Sequence, residues 1–228
     1  SRPASTRESS MSRRSDRQAG ALNAISRPAS AEPSTGFART ATTSGSDEGG
    51  GGVTEAIRQA VVLAGGLGTR LGALTEKQPK PLLPVAGRPF LEWLLDNLSR
   101  QGVTDIMLAI GHGADAFSQW LGRLESPLKI ETFIESEPLG TGGALPLMRD
   151  QLERSFFLLN GDTLFDASLS LLGQTLLDSD KLATVALRSV PDTARYGRVT
   201  LDGANVVGFA EKSAQKDESG AGLINGGI

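Results

Sequence analysis

Residues 53–228 of this chain predict an α/β fold with a mainly parallel sheet and helices on both faces. Three observations carry that expectation. Short apolar runs rich in β-branched residues alternate with longer segments whose apolar residues recur at helical spacing. The first of these runs, "VVLAGGLGTR" (61–70), goes straight from a strand into glycines. The regular alternation of the two element types implies βαβ units with right-handed crossovers, which place helices on either side of a parallel sheet.

Taken in order, "RQAVVLA" (58–64) reads as a buried strand ending at glycines. "RPFLEWLLDNLSRQG" (88–102) sets Phe90, Leu91, Leu94, Leu95 and Leu98 at helical spacing, with Gly102 as its stop. "TDIMLAIG" (104–111) predicts a strand, "ADAFSQWLGRL" (114–124) a helix and "LKIETFIE" (128–135) a strand. A helix is expected over "GTGGALPLMRDQL" (140–152), with Pro146 confined to its first turns or kinking it. "SFFLLNGD" (155–162) is the most apolar strand, followed by a helix over 167–179, which Asp166 is expected to cap, and a strand over 181–190. "RVTLDGANVVGFAEK" (198–212) reads as two strands joined at "DGAN".

Residues 1–52 have a different composition. They are dominated by Ser, Arg, Ala, Gly, Thr and Pro, carry the pentapeptide "SRPAS" at 1–5 and again at 26–30, and end in glycines. Such a segment cannot bury enough apolar surface to offset its ordering entropy, which predicts a disordered extension before a domain at 53–228. The Arg- and Ser-rich, acid-poor stretch after Met11 resembles a transit peptide in composition, but a linker or an over-extended reading frame is the favoured reading.

Bulk composition excludes several functions. A formal net charge of −3 leaves no electrostatic footprint for nucleic acid. No apolar run approaches the ~20 residues that span a bilayer, so no membrane partner is expected. Without cysteine there are no disulfides, thiolate metal sites or cysteine nucleophile, and the single His112 rules out a multi-histidine metal site. A reducing, cytoplasmic location suits this composition.

In parallel sheets ligands bind beyond the carboxyl ends of the strands. Two loops fall at that edge, the glycine-rich one after 58–64 and "NGD" (160–162) after the strand at 155–160. The first is not a Walker A loop, because no Lys follows its glycines, and it is not a dinucleotide fingerprint, because Leu71 stands where the third glycine belongs. What remains is "LAGG" (Leu63, Ala64, Gly65 and Gly66), whose small residues let main-chain groups approach a flat ligand, then "LGTR". Gly65, Gly66 and Gly68 free backbone N–H groups to face an anion, Thr69 adds a hydroxyl and Arg70 a guanidinium fork. A tight turn with a solvated Arg70 competes with this reading.

The arrangement "LAGGLGTRL" then "KPLLPVAGRPF" resembles the sugar-1-phosphate nucleotidylyltransferases, whose signature is Gly-Gly-x-Gly-Thr-Arg-Leu followed further on by Lys-Pro. The likeness continues in family order through "EPLGTGGAL" (137–145), "LNGDTLFD" (159–166), "YGRV" (196–199), "GFAEK" (208–212) and "NGG" (225–227). It looks closest to the heptose-1-phosphate and mannose-1-phosphate guanylyltransferase-like branch. The resemblance implies the Rossmann-like fold of nucleotide-diphospho-sugar transferases and the reaction of an NTP with a sugar 1-phosphate to give an NDP-sugar and pyrophosphate.

The resemblance also implies roles. Arg70 would hold the leaving pyrophosphate, Lys80 the α-phosphate, and Asp162 a Mg²⁺ ion. The competing readings are a surface lysine in a proline turn for Lys80 and an Asx turn for Asp162. Glu137, Pro138, Gly140 and Thr141, with Gly161, resemble the nucleotide-binding segments, and a carboxylate at 137 suits guanine, which leans the base toward GTP. Tyr196, Gly197, Glu211, Lys212 and Asn225 match positions that hold the sugar and its phosphate. UTP- or dTTP-dependent transfer is the alternative, as is a regulatory homologue without turnover, although such homologues typically lose the Arg, Lys or Asp that are present here. A transferase acting on a non-sugar phosphate is a third reading, against which "YGRV", "EK" and "NGG" lean. Homo-oligomerisation stays open. The family's domain continues past "NGG" with another strand and a second acidic metal ligand that no residue of 1–228 matches, so the domain is expected to be incomplete at its C-terminus.

Overall fold

The computed structural model describes residues 21–25, 56–66, 72, 78–135, 140–210 and 220–228. Strand β1 (Ala21–Ile25) comes first. β2 (Gln59–Leu63) follows, then a 3₁₀ turn at Lys80–Leu82 and a short hairpin of β3 (Pro84–Val85) and β4 (Arg88–Pro89). After α1 (Phe90–Arg100) the chain runs through β5 (Asp105–Ile110), α2 (Ala114–Leu121) and β6 (Lys129–Ile134). Next are α3 (Gly140–Gly143), a 3₁₀ segment over Leu145–Gln151, β7 (Phe157–Asn160) and α4 (Leu169–Leu177). The last strands are β8 (Ala183–Val190), β9 (Arg198–Asp202), β10 (Asn205–Ala210) and β11 (Gly222–Asn225).

Four strands form a sheet in the order β6-β5-β2-β7, all parallel. Leu63 is level with Ala109 on one side and Asn160 on the other, so the loops after β2, β5 and β7 emerge at one edge. The pleat divides the core. Ala60, Val62 and Ala64 face a layer built from Leu91, Leu94 and Leu98 of α1, Phe117 of α2 and Leu169 and Leu172 of α4. Val61 and Leu63 face the opposite way, with Met107 and Ala109, onto Ala144, Leu145 and Met148. This alternation on strands buried on both sides is the signature of a covered parallel sheet.

The second sheet is a closed barrel, β8-β11-β9-β10-β1, in which β9 and β10 form the expected hairpin around Gly203-Ala204. It joins the first sheet through the segment after β11: the Asn160 N–H donates to the Gly227 carbonyl at 3.1 Å and the Ala186 N–H to the Ile228 carbonyl at 3.0 Å.

Four expectations need correction. Residues 21–25, inside the segment expected to be disordered, form a strand antiparallel to β8 (Ala21↔Leu187 to Ile25↔Ala183) and parallel to β10. Backbone pairing with two open strand edges supplies what the side-chain composition does not. The helix expected over 140–152 is split into α3 and the 3₁₀ segment, because Pro146, near the start of the latter, cannot donate to an α-helical ladder. The helix expected from residue 88 starts at Phe90; Arg88 and Pro89 pair instead with Val85 and Pro84 across a turn with positive φ at Ala86 and Gly87. Ser168, not Asp166, caps α4, its Oγ accepting from the Leu171 N–H at 3.2 Å.

Candidate active site

The carboxyl-terminal edge of the parallel sheet brings together several of the residues singled out from sequence: Leu63 to Gly66, Lys80, Gly161 and Asp162. Leu63 ends β2, and Ala64, Gly65 and Gly66 follow as irregular backbone. The Ala64 N–H donates to the Ala109 carbonyl at 2.8 Å and the Gly161 N–H to the Leu63 carbonyl at 2.8 Å, so this loop is pinned to both neighbouring strands. Glycine is a packing requirement here. A Cβ at Gly65 would stand 2.9 Å from the Gly111 nitrogen, one at Gly111 would stand 2.8 Å from the Gly65 carbonyl oxygen, and one at Gly161 would stand 2.8 Å from the Leu63 oxygen. The backbones after β2, β5 and β7 thereby approach too closely for side chains and leave a surface of bare main chain where they meet. Glu135, half-buried just past β6, brings its Oε1 to 3.6 Å from where a Gly65 Cβ would be.

Lys80 and Asp162 come together beside this surface. Lys80 Nζ lies 2.6 Å from Asp162 Oδ2, although 82 residues separate them, and each side chain keeps about two-fifths of its exposure, 38% and 40%. The other carboxylate oxygen, Oδ1, accepts from the Thr163 hydroxyl at 3.1 Å. Both residues sit on anchored backbone. Lys80 opens its 3₁₀ turn between Pro79 and Pro81; Leu82 N–H donates to Pro79 at 2.9 Å and Leu83 N–H to Lys80 at 3.1 Å. Asp162 follows Gly161, and the Thr163 N–H donates to the Asn160 carbonyl at 3.3 Å.

Support for the Lys80 turn comes from α2. Gly113, at φ +82°, precedes that helix, and a Cβ there would fall 2.5 Å from Pro79 Cγ. Pro79 is buried in this contact region, one residue before Lys80. Gly111, Gly113, Thr163 and Glu135 were not singled out in the sequence, whereas Pro79 was read there only as stiffening the Lys80 loop; the glycines of "IGHG" carried the one signal that could have found two of them, a strand followed by a tight turn.

Asn225 is also drawn to this edge, in a role the sequence did not suggest. Its side-chain Oδ1 accepts from the Gly227 N–H at 2.8 Å, forming a turn that seats Gly227 against Asn160 and Thr163. Tyr196 and Gly197 lie on the loop before β9. Tyr196 is 49% exposed and its N–H donates to the Thr193 carbonyl at 2.8 Å; no described contact links it to Lys80 or Asp162. Gly140 and Thr141 open α3. Gly68, Thr69, Arg70, Glu137, Pro138, Glu211 and Lys212 lie outside the described residues.

The donor set bears on the Mg²⁺ expectation. Among the described residues no group of three or more His, Asp or Glu could hold a metal ion. Asp162 therefore offers one exposed carboxylate at a strand end. That fits a cation such as Mg²⁺, which is bound through one or two carboxylates and completes its shell with phosphate oxygens and water. Among the described residues no helix is long and apolar enough to cross a membrane.

Comparison with known proteins places the chain in a family. A family model described as nucleotidyl transferase matches residues 59–227. The D-glycero-alpha-D-manno-heptose 1-phosphate guanylyltransferase of Campylobacter jejuni subsp. jejuni serotype O:2 is 39% identical over 171 residues, 75% of this chain and 74% of that protein. The protein of the same name from Aneurinibacillus thermoaerophilus is 33% identical over 171 residues, 75% of this chain and 73% of that one. Among solved structures, HddC from Yersinia pseudotuberculosis complexed with GMP-PN superposes with a TM-score of 0.62 at 36% identity, covering 75% of this chain and 74% of that one.

Proposed function

This chain belongs to the nucleotidyl transferase family, and from that premise we propose that it joins the nucleotidyl group of GTP to a heptose- or mannose-type sugar 1-phosphate and releases pyrophosphate. The observation that carries the reading is the meeting of Lys80 and Asp162 at 2.6 Å beside the glycine surface of Gly65 and Gly161. It gathers a cation for phosphate, a carboxylate for metal and a bare main-chain surface for a base at one sheet edge. The similar guanylyltransferases and the GMP-PN complex support guanine as the base.

In the reaction an oxygen of the sugar phosphate attacks the α-phosphorus, and the bond from that phosphorus to the bridging oxygen breaks. The electron pair of that bond leaves with pyrophosphate. No protein base is required, because a phosphate monoester has a second pKa near ~6 and is already a dianion or close to it at neutral pH. The protein's task is to hold two anions in line and stabilise the charge that spreads between them. Lys80 holds the α-phosphate and Arg70 the pyrophosphate, with Gly66, Gly68 and Thr69 donating to phosphate oxygens. Leu63, Ala64 and Gly65 face the base, whose N1 and N2 donors Glu137 accepts; Pro138, Gly140, Thr141 and Gly161 border the base and ribose. Tyr196, Gly197, Glu211 and Lys212 hold the sugar and its phosphate. Asn225 joins them through its amide, since its carbonyl is taken by Gly227. Asp162 would hold Mg²⁺, whose chemistry is to neutralise charge on the phosphates and draw them into line. A cysteine-free composition suits a reducing cytoplasm as the compartment.

Lys80→Met tests this assignment. Loss of a preorganised electrostatic donor costs about 2.7–4 kcal/mol of transition-state stabilisation, on the order of 10²–10³ in kcat. The loss is expected in kcat far more than in KM for GTP, measured by pyrophosphate release; an unchanged kcat would remove Lys80 from the mechanism.

A further inference from the structure

The geometry points to a second role for Lys80, as the resident cation of Asp162 that must be displaced before a metal can bind. The inference rests on the reading of Asp162 as the metal carboxylate and concerns how that site assembles. Asp162 has no oxygen without a donor: Oδ2 takes the Lys80 ammonium at 2.6 Å and Oδ1 the Thr163 hydroxyl at 3.1 Å. A divalent cation arriving alone therefore meets a neutralised pair in place of a bare carboxylate. The same contact keeps Lys80 from a phosphate. Each group holds the other in the position its ligand would take.

The pair can open without rearranging the fold. The backbones on both sides are fixed by the hydrogen bonds of the Lys80 turn and of Gly161 and Thr163. The Lys80 side chain is 38% exposed, so it can swing by changing rotamer into solvent or onto a ligand. A metal-bearing nucleotide resolves both pairings in one exchange: its phosphates take the ammonium, and the released carboxylate takes the cation. Metal alone satisfies half of that exchange and nucleotide alone the other half. By linkage each must then raise the affinity of the other by the same factor. Free metal is held weakly, and metal and nucleotide enter as a unit.

The test is a Mn²⁺ titration of the full chain, followed by the electron paramagnetic resonance signal of the free ion, with no nucleotide present. Wild type, Lys80→Met, Lys80→Arg and Asp162→Asn are compared, with folding checked by circular dichroism. Removing an exposed ammonium next to a dication is expected to tighten Mn²⁺ binding by about two- to tenfold in Lys80→Met. Lys80→Arg, which keeps the pair, stays at the wild-type affinity. Adding Asp162→Asn to Lys80→Met abolishes the gain. When a non-hydrolysable GTP analogue is added, the advantage of Lys80→Met disappears, because the wild-type lysine has moved to the phosphates. A folded Lys80→Met with wild-type or weaker Mn²⁺ affinity overturns the inference, and so does a gain that survives Asp162→Asn. Neither result touches the proposed reaction, which is read from turnover; conversely, failure of every nucleotide and sugar phosphate to turn over would leave the Mn²⁺ result standing.

Discussion

Replacing Gly161 by alanine probes the sheet edge that holds the site together. The new Cβ would stand 2.8 Å from the Leu63 carbonyl oxygen and 3.3 Å from Ala64 Cα, and both are backbone atoms of the loop that leaves β2. Ordinary contact begins at 3.4 Å, so the two loops must part by 0.6 Å (3.4 − 2.8). They are tied there by the Gly161 N–H to Leu63 bond of 2.8 Å, which the displacement stretches. Overpacking of this kind costs about 1–3 kcal/mol, and for a chain of this size about 2–4 °C of Tm per kcal/mol. The effect on catalysis is larger, because Asp162 is the next residue. A misplacement near 1 Å can cost about 10²-fold in rate, so a shift of about half that predicts a kcat lower by roughly ten- to a hundredfold with KM for GTP less affected. Thermal unfolding and pyrophosphate release on the same preparations give both numbers. A variant with wild-type kcat and wild-type Tm would refute the reasoning that close backbone packing fixes Asp162.

Two further substitutions address neighbouring claims. Gly113→Ala places a side chain at φ +82° and its Cβ 2.5 Å from Pro79 Cγ, so it is expected to lose about 1–2 kcal/mol from the backbone conformation alone and to lower kcat by moving the turn that carries Lys80; a lower Tm with unchanged kcat would show that the contact stabilises without positioning. If Glu137 reads guanine, Glu137→Gln replaces an acceptor by a donor toward the base N–H groups and should reduce kcat/KM for GTP more than for UTP by about 1–3 kcal/mol of discrimination, with equal losses in the two nucleotides counting against Glu137 as the base reader.

Much of this architecture was legible in the sequence because local pattern and tertiary burial agree. Strands β2, β5 and β7 of the parallel sheet are short apolar runs, the edge strand β6 alternates apolar with polar residues, and the α1 stripe of Leu91, Leu94, Leu95 and Leu98 is the face that is buried. Where they disagree, the sequence misled. Pro146 broke a segment whose apolar spacing looked helical, and Ala86-Gly87 made a tight hairpin with a weaker turn signal than Asn-Gly carries. Strand β1 is the short apolar run Ala-Leu-Asn-Ala-Ile inside a polar segment, too brief to stand out from the composition around it, and its pairing depends on the distant β8 and β10 edges. The site followed the same division. The approach of the glycine-rich loop to "NGD" was legible as two loops bound for one sheet edge, whereas the Lys80–Asp162 pair, the mutual exclusion of side chains at Gly65 and Gly111, and the seat that Gly113 gives Pro79 are long-range contacts that residue spacing does not encode.

The central claim, guanylyl transfer to a sugar 1-phosphate, is tested most directly by one substrate matrix. The chain is incubated with Mg²⁺, each of ATP, GTP, CTP, UTP and dTTP, and each of several sugar 1-phosphates including mannose and heptose types, and pyrophosphate release is scored beside chromatography of the nucleotide product. GTP with a heptose- or mannose-type 1-phosphate is expected to give the highest kcat/KM, with a GDP-sugar and pyrophosphate in equal amounts and both lost in Asp162→Asn. Preference for UTP or dTTP, or pyrophosphate release that does not depend on the sugar phosphate, would contradict the central claim.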